Sequence, residues 1–184
     1  MKKEEISAKV NEFCTESCAS ELEHNDKNSG TSAPLEKNDV FTIIEGDFFP
    51  SKTEYESQKA ATDAGVTLTN RNVTIVPKMD GETQVGETVV VDNSYYGVRV
   101  DGNRQAISLR MLTSWSLFPR KDVPDTAMHI PGGKSSEVFA RLAEYKGKKI
   151  RVVKTASWEK GKEFNGRVQQ YAGSAAIFEV VNEG

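Results

Sequence analysis

The run Ser135-Ser136-Glu137-Val138-Phe139-Ala140-Arg141-Leu142-Ala143-Glu144-Tyr145, continued by Lys146-Gly147-Lys148-Lys149-Ile150-Arg151-Val152-Val153-Lys154-Thr155-Ala156-Ser157-Trp158, changes its apolar period at Gly147. Before the glycine, Val138, Leu142 and Tyr145 recur at helical spacing, and Phe139 and Ala143 widen the stripe. The serines are suited to accept hydrogen bonds from first-turn amides, and Gly147 to close the helix in the left-handed conformation. Glu137 to Arg141 and Glu144 to Lys148 are spaced as solvated ion pairs on the opposite side. One face is expected to be buried and one wet.

After Gly147 the period is two, which predicts a strand. Glu159-Lys160-Gly161 then reads as a three-residue hairpin loop, with Lys162 to Tyr171 as the returning strand and Trp158 opposite Lys162. In that register Ile150, Val152, Ala156 and Trp158 share an inner face with Phe164 and Val168. Lys149, Arg151, Asn165, Arg167, Gln169 and Tyr171 share the outer one. Lys154 falls on the inner face, where its stem must be buried and its ammonium must reach an edge.

From Arg141 to Arg167 there are nine Lys or Arg against three Glu, on a chain of 184 residues whose net charge is −3. A basic face carrying amides and an aromatic matches the needs of a single-stranded nucleic acid, because cations follow phosphates and π-faces stack bases. The competing reading is a solvated, lysine-rich face that protects a sheet edge from pairing.

The chain suits one domain with a tail and has enough residues for a core without metal or disulfide support. Its two cysteines, Cys14 and Cys18, indicate no disulfide framework. The Met1-Lys2-Lys3-Glu4-Glu5 opening lacks the apolar segment of a signal peptide, and no run is long enough to span a bilayer. The expected location is cytoplasmic, meaning the host cytoplasm or the virion if the protein is phage-encoded.

Residues 4–19 predict a helix with Ile6, Val10, Phe13, Cys14 and Cys18 close to one stripe. A metal site using Cys14, Cys18 and His24 is the alternative, but it lacks an evident fourth ligand. Residues 20–38 read as a flexible linker, and the first 37 residues carry eight acids and five bases. The expected division is therefore an N-terminal helix with an acidic linker over 1–37 and a single β-rich domain over 38–184.

Within that domain, Val40 to Ile44 predicts a strand, and Ser51 to Ala64 a helix with a capping box at Ser51 and Glu54. Val66 to Val76 is rich in β-branched residues, interrupted at Asn70-Arg71-Asn72. A meander follows through Thr88–Val91, Tyr95–Val100 and Gln105–Met111. Tyr95 and Arg99 point outward on one strand and Arg110 on the next, a second arginine-aromatic patch. Trp115 to Pro119 is an apolar cluster, Arg120 to Pro131 a loop, and Ala175 to Val181 a closing strand.

Gly132-Gly133-Lys134-Ser135 looks like the end of a P-loop, but Met128 occupies the position of the required first glycine. A helix start beside Lys134 retains the capacity to hold one backbone phosphate. His24 and His129 are the only histidines, and neither lies in a metalloprotease-type or nucleophile-base arrangement. No cofactor is indicated, and an enzyme is unsupported.

This order of elements predicts a mainly β (α+β) fold, an antiparallel OB-like barrel or strongly curled sheet with two or three short helices. The segment from Lys146-Gly147-Lys148-Lys149-Ile150-Arg151-Val152 to Ile177-Phe178-Glu179-Val180 resembles small OB-fold single-stranded DNA-binding proteins of bacteriophages and mobile elements. The resemblance covers the last quarter of the chain, and the acidic arm is N-terminal here rather than C-terminal. The basic and aromatic faces, with this resemblance beside them, give the expectation of non-enzymatic binding of single-stranded DNA or RNA with little sequence preference, through Lys149, Arg151, Arg167 and Tyr171, with Asn165 and Gln169 on the same face and Tyr95, Arg99 and Arg110 extending it. The alternative is a structural or virion-type assembly module whose helix docks on a protein partner, or on another copy of the chain, through Ile6, Val10, Phe13 and Cys14.

Overall fold

A computed structural model describes residues 1–27, 34–102 and 104–182. In chain order the elements are helices α1 (Lys3–Phe13) and α2 (Glu16–His24), strands β1 (Val40–Phe49) and β2 (Lys52–Tyr55), helix α3 (Gln58–Asp63), and strands β3 (Val73–Asp80), β4 (Thr83–Asp92), β5 (Tyr95–Asp101) and β6 (Ala106–Ser108). Helices α4 (Leu109–Leu112) and α5 (Ser135–Leu142) follow, then strands β7 (Lys149–Trp158), β8 (Glu163–Phe164), β9 (Arg167–Val168) and β10 (Gly173–Val180). The fold is mixed α+β with mostly antiparallel sheets, and among the described residues it has five α-helices, more than the two or three expected. Among the described residues no closed barrel forms.

The chain divides into two compact units, one of Met1–Phe48 with Tyr96–Gly184 and one of Phe49–Tyr95. The smaller unit is a three-stranded sheet in the order β2-β4-β3, with α3 beside it. The helix expected from Ser51 begins only at Gln58, because Ser57 is the residue that caps it, accepting from the Ala60 amide at 3.1 Å. Residues 52–55, freed from the helix, pair with β4 instead. The predicted strand start at Val66 also moves, to Val73.

In the larger unit a five-stranded sheet runs β10-β7-β1-β5-β6. Phe41 and Ile43 of β1, Ile150 and Val152 of β7, and Phe178 of β10 are buried on its inner face, where α5 supplies Val138, Phe139 and Leu142. Gly46 is required here, because a Cβ on it would lie 2.6 Å from the Phe139 ring.

Residues 1–27 and 34–37, expected as parts of an arm apart from the body, belong to this unit, and residues 28–33 of the expected linker lie outside the described residues. Val10, Phe13, Cys18 and Leu22 are buried in its core, with Phe13 and Phe139 ring centroids 6.2 Å apart. The single helix expected over 4–19 is two helices, because Thr15 caps α2 through its hydroxyl, which accepts from the Cys18 amide at 3.2 Å. The same hydroxyl donates to Asp47 at 2.7 Å, and the Thr15 amide donates to the Gly46 carbonyl at 3.0 Å. The break is thus stitched to β1.

The strand expected through Met111 ends at Ser108, whose hydroxyl accepts from the Met111 amide and starts α4. Helix α5 forms over nearly its predicted range and is followed by a 3-10 turn at Ala143–Tyr145, with Gly147 at φ 81°. Its cap is not a serine. Asp26 accepts from the Ser136 amide at 2.7 Å and from the Ser136 hydroxyl at 2.5 Å. The anion position expected beside Lys134 is therefore filled by the protein's own carboxylate, as the unpaired amides of a helix start favour.

Candidate nucleic-acid interface

Strand β7 does not pair with the segment that follows it. Its neighbours are β1 and β10, with Trp158 opposite Gly173 rather than Lys162. The expected hairpin is replaced by a shorter one, β8–β9, in which Glu163 faces Val168 and Phe164 faces Arg167. Its turn is Asn165-Gly166, at φ 52° and 79°, the positive values that a two-residue hairpin turn demands. That Asn-Gly pair is a strong local signal, and it outweighs the Glu159-Lys160-Gly161 loop as the tip.

The register between β7 and β10 shifts at Ile177/Phe178, where Lys154 pairs with Ile177 and Val152 with Phe178, leaving Val153 as the extra residue. A bulge of this kind reverses the parity of all that follows. Ile150 and Val152 enter the main core, whereas Ala156 and Trp158 pack with Phe118, Ala127, Ala175 and Ile177 in a second cluster. Lys154 is thereby explained. Its ammonium is 3.2 Å from Asp122 and stands 6.0 Å over the Phe118 ring.

The predicted binding residues separate into committed and available groups. Arg151 pairs with Glu179 and donates to Asn38 at 2.8 Å. The Arg151 hydrogen bond holds the Glu179 carboxyl below its ordinary range against the opposing effect of burial. Arg99 donates to Asp47 at 2.6 and 2.8 Å. Burial alone would raise the Asp47 carboxyl, but hydrogen bonds from Thr15, the Phe48 amide and Arg99 bring it below its ordinary value. Tyr95 stacks on Phe49 at 5.0 Å and belongs to the smaller unit, whereas Arg99 and Arg110 belong to the larger, so the predicted patch of these three residues is divided between the units. Lys149 is exposed at the start of β7, roughly 30 Å from Trp158 at ordinary strand rise. The single basic face expected of Lys149, Arg151 and Arg167 is therefore divided along the strand.

At the Trp158 end the chain forms a cleft of about 400 Å³, lined by Arg110, Thr113, Ser116, Gly132, Trp158 and Gly173 among others. The indole is fixed on three sides. Its Nε1 donates to the Tyr171 carbonyl at 3.0 Å, Phe164 stacks on it at 4.6 Å, and a Cβ on Gly173 would lie 2.8 Å from it. Asn165 donates to the Leu117 carbonyl at 3.0 Å, so the hairpin tip is tied to the cleft wall. Gln169 braces the hairpin internally, through the Phe164 and Arg167 carbonyls. Asn165 and Gln169 thus shape the site rather than face it. Arg167 is exposed opposite Phe164, and Tyr171 is 61 % exposed. Among the described residues no carboxylate pairs with Arg110, Lys160, Lys162 or Arg167.

The expected partner stripe is occupied within the chain. Val10 and Phe13 are buried, and the partly buried Ile6 and Cys14 pack on the same core. Cys14 and Cys18 are free thiols, and the hydrogen bond to Cys18, followed by burial, pushes the Cys14 thiol up. Among the described residues no group of three or more His, Cys, Asp or Glu is placed to hold a metal ion. No described helix is long and apolar enough to cross a membrane.

The chain matches no family model, no curated protein and no solved structure.

Proposed function

We propose that the chain binds single-stranded nucleic acid without enzymatic action and with little sequence preference, through the cleft at the Trp158 end of β7. The observation that carries this reading is the contrast among its cations. Arg99 and Arg151 are engaged by Asp47 and Glu179, while Arg110 and Arg167 have no carboxylate partner among the described residues; Arg110 lines a cleft rich in hydroxyls, and Arg167 lies opposite Phe164, which stacks on the cleft's Trp158. Arg110 and Arg167 neutralise phosphates, with Lys160 and Lys162 adding to the field. Tyr171 stacks a base, a contact that every base accepts equally. The five-stranded sheet serves in this proposal as an OB-like platform, curled rather than closed.

Fluorescence anisotropy of a labelled mixed-sequence single strand, titrated at several salt concentrations, tests the reading. The slope of log affinity against log salt is about 0.7 per phosphate contact on a single strand, so Arg110→Ala with Arg167→Ala flattens it by about 1.4. Arg151→Ala leaves the slope unchanged, because that guanidinium already has its carboxylate. Absence of binding at low salt overturns the proposal.

A further inference from the structure

A second cavity, of about 370 Å³, opens beside the first and is lined by Trp115, Phe118, Arg120, Asp125 and His129 among others. Ser116 lines both. The walls are aromatic and held in place. Trp115 donates from Nε1 to the Ile130 carbonyl at 2.9 Å, His129 meets it edge-on at 4.8 Å, and Phe118 is buried beneath Lys154. The charged side chains at this site are not engaged by others of opposite charge among the described residues. Arg120, Asp125 and His129 are exposed, and no described residue pairs with the charges of Arg120 or Asp125. Neighbouring charges differ, since Lys154 is engaged by Asp122 and Glu179 by Arg151 and Thr126.

We infer that this cavity is a nucleotide pocket, receiving one base of a strand whose backbone occupies the adjoining cleft. The inference rests on the function proposed above and adds a defined base site to it. A fixed indole with an imidazole at its edge suits a flat heteroaromatic ring. An arginine and an aspartate supply the donors and acceptor that the edge of a base requires, and the arginine also suits the attached phosphate. The volume falls within the range of small-ligand pockets. The shared Ser116 wall places the two sites within reach of one strand. A bare apolar ligand would leave Arg120 and Asp125 unused.

The test uses the intact chain labelled with nitrogen-15, whose two tryptophans supply two indole N–H signals, assigned with Trp158→Phe. Adenosine and thymidine 5′-monophosphates are titrated in, with ribose 5-phosphate as the control lacking a base. The expected result is a saturable shift of the Trp115 indole with both nucleotides and none with the control. Arg120→Ala and His129→Ala remove exposed side chains and leave the fold intact. They are expected to weaken binding of a normal strand roughly 5-fold or more, the low end of one base-stacking contact, and to leave an abasic strand of equal length unaffected. An unmoved Trp115 signal while the strand still binds overturns the pocket and leaves the proposed function standing. A Trp115 shift with no strand binding supports the pocket and overturns the strand-binding reading. Silence in both assays overturns both.

Discussion

Replacing Asp47 by asparagine tests how much the charged pair of Asp47 with Arg99 contributes to the stability of the fold. Asp47 is 6 % exposed and accepts from the Thr15 hydroxyl, the Phe48 amide and two guanidinium nitrogens of Arg99. The asparagine side chain keeps the Oδ1 that accepts from both Thr15 and Phe48 but loses Oδ2 and the charge that Arg99 faces. A hydrogen bond to a charged group is worth about 1.5–3 kcal/mol. The Arg99 side chain is 43 % exposed and regains water when the pair breaks, so its share is discounted. The net cost is about 2 kcal/mol, which lowers Tm by about 4–8 °C for a chain of this size.

The pH dependence gives a second reading of the same bond. The folded carboxyl titrates below its unfolded value near 3.9, so its contribution is complete above about pH 5 and fades as pH falls through the folded value. Thermal melts followed by circular dichroism at pH 7 and at successively lower pH are expected to show the gap between wild type and Asp47→Asn closing in acid. Equal Tm values at pH 7, or a gap that stays constant into acid, would mean that the Asp47 charge does not hold Arg99 to the benefit of the fold.

Two further outcomes follow from the packing. Deleting residues 1–24 removes Val10, Phe13 and Leu22 from the core, at about 1.5–3 kcal/mol for each large buried side chain. The sum is comparable to the whole stability of a typical domain, so the shortened chain is expected to lose its cooperative melt and its amide dispersion in solution. Gly166→Val places a β-branched residue at φ 79° in the Asn165-Gly166 turn and is expected to weaken the hairpin by about 1–2 kcal/mol. Because Arg167 is exposed and the turn lies outside the core, strand affinity is expected to fall with Tm nearly unchanged, as anisotropy and melts measured together will show.

Local chemistry alone places several elements. The period of Val138, Leu142 and Tyr145 and the glycine at 147 are properties of contiguous residues, and α5, β7 and β10 form close to where these signals put them. Caps are less legible where two serines compete, as at Ser51 against Ser57, because the backbone selects whichever arrangement the neighbouring strand permits. The Asn165-Gly166 turn is also legible, and only the stronger apparent alternation of the longer hairpin conceals it. Arg99, Arg110, Arg151 and Arg167 are visible in the sequence as charges, but not which of them the chain itself neutralises.

The α+β class, the helix and strand around Gly147, and the surplus of cations in residues 141–167 are legible in the chain alone, since each depends on spacing or composition. The remaining features arise from contacts between distant parts of the chain. The bulge at Val153 depends on which strand lies beside β7, the engagement of Arg99 and Arg151 depends on acids 52 and 28 positions away, and the burial of α1 depends on the ring of Phe139. Such contacts join residues that no local period relates, and they determine which charges remain available to a ligand.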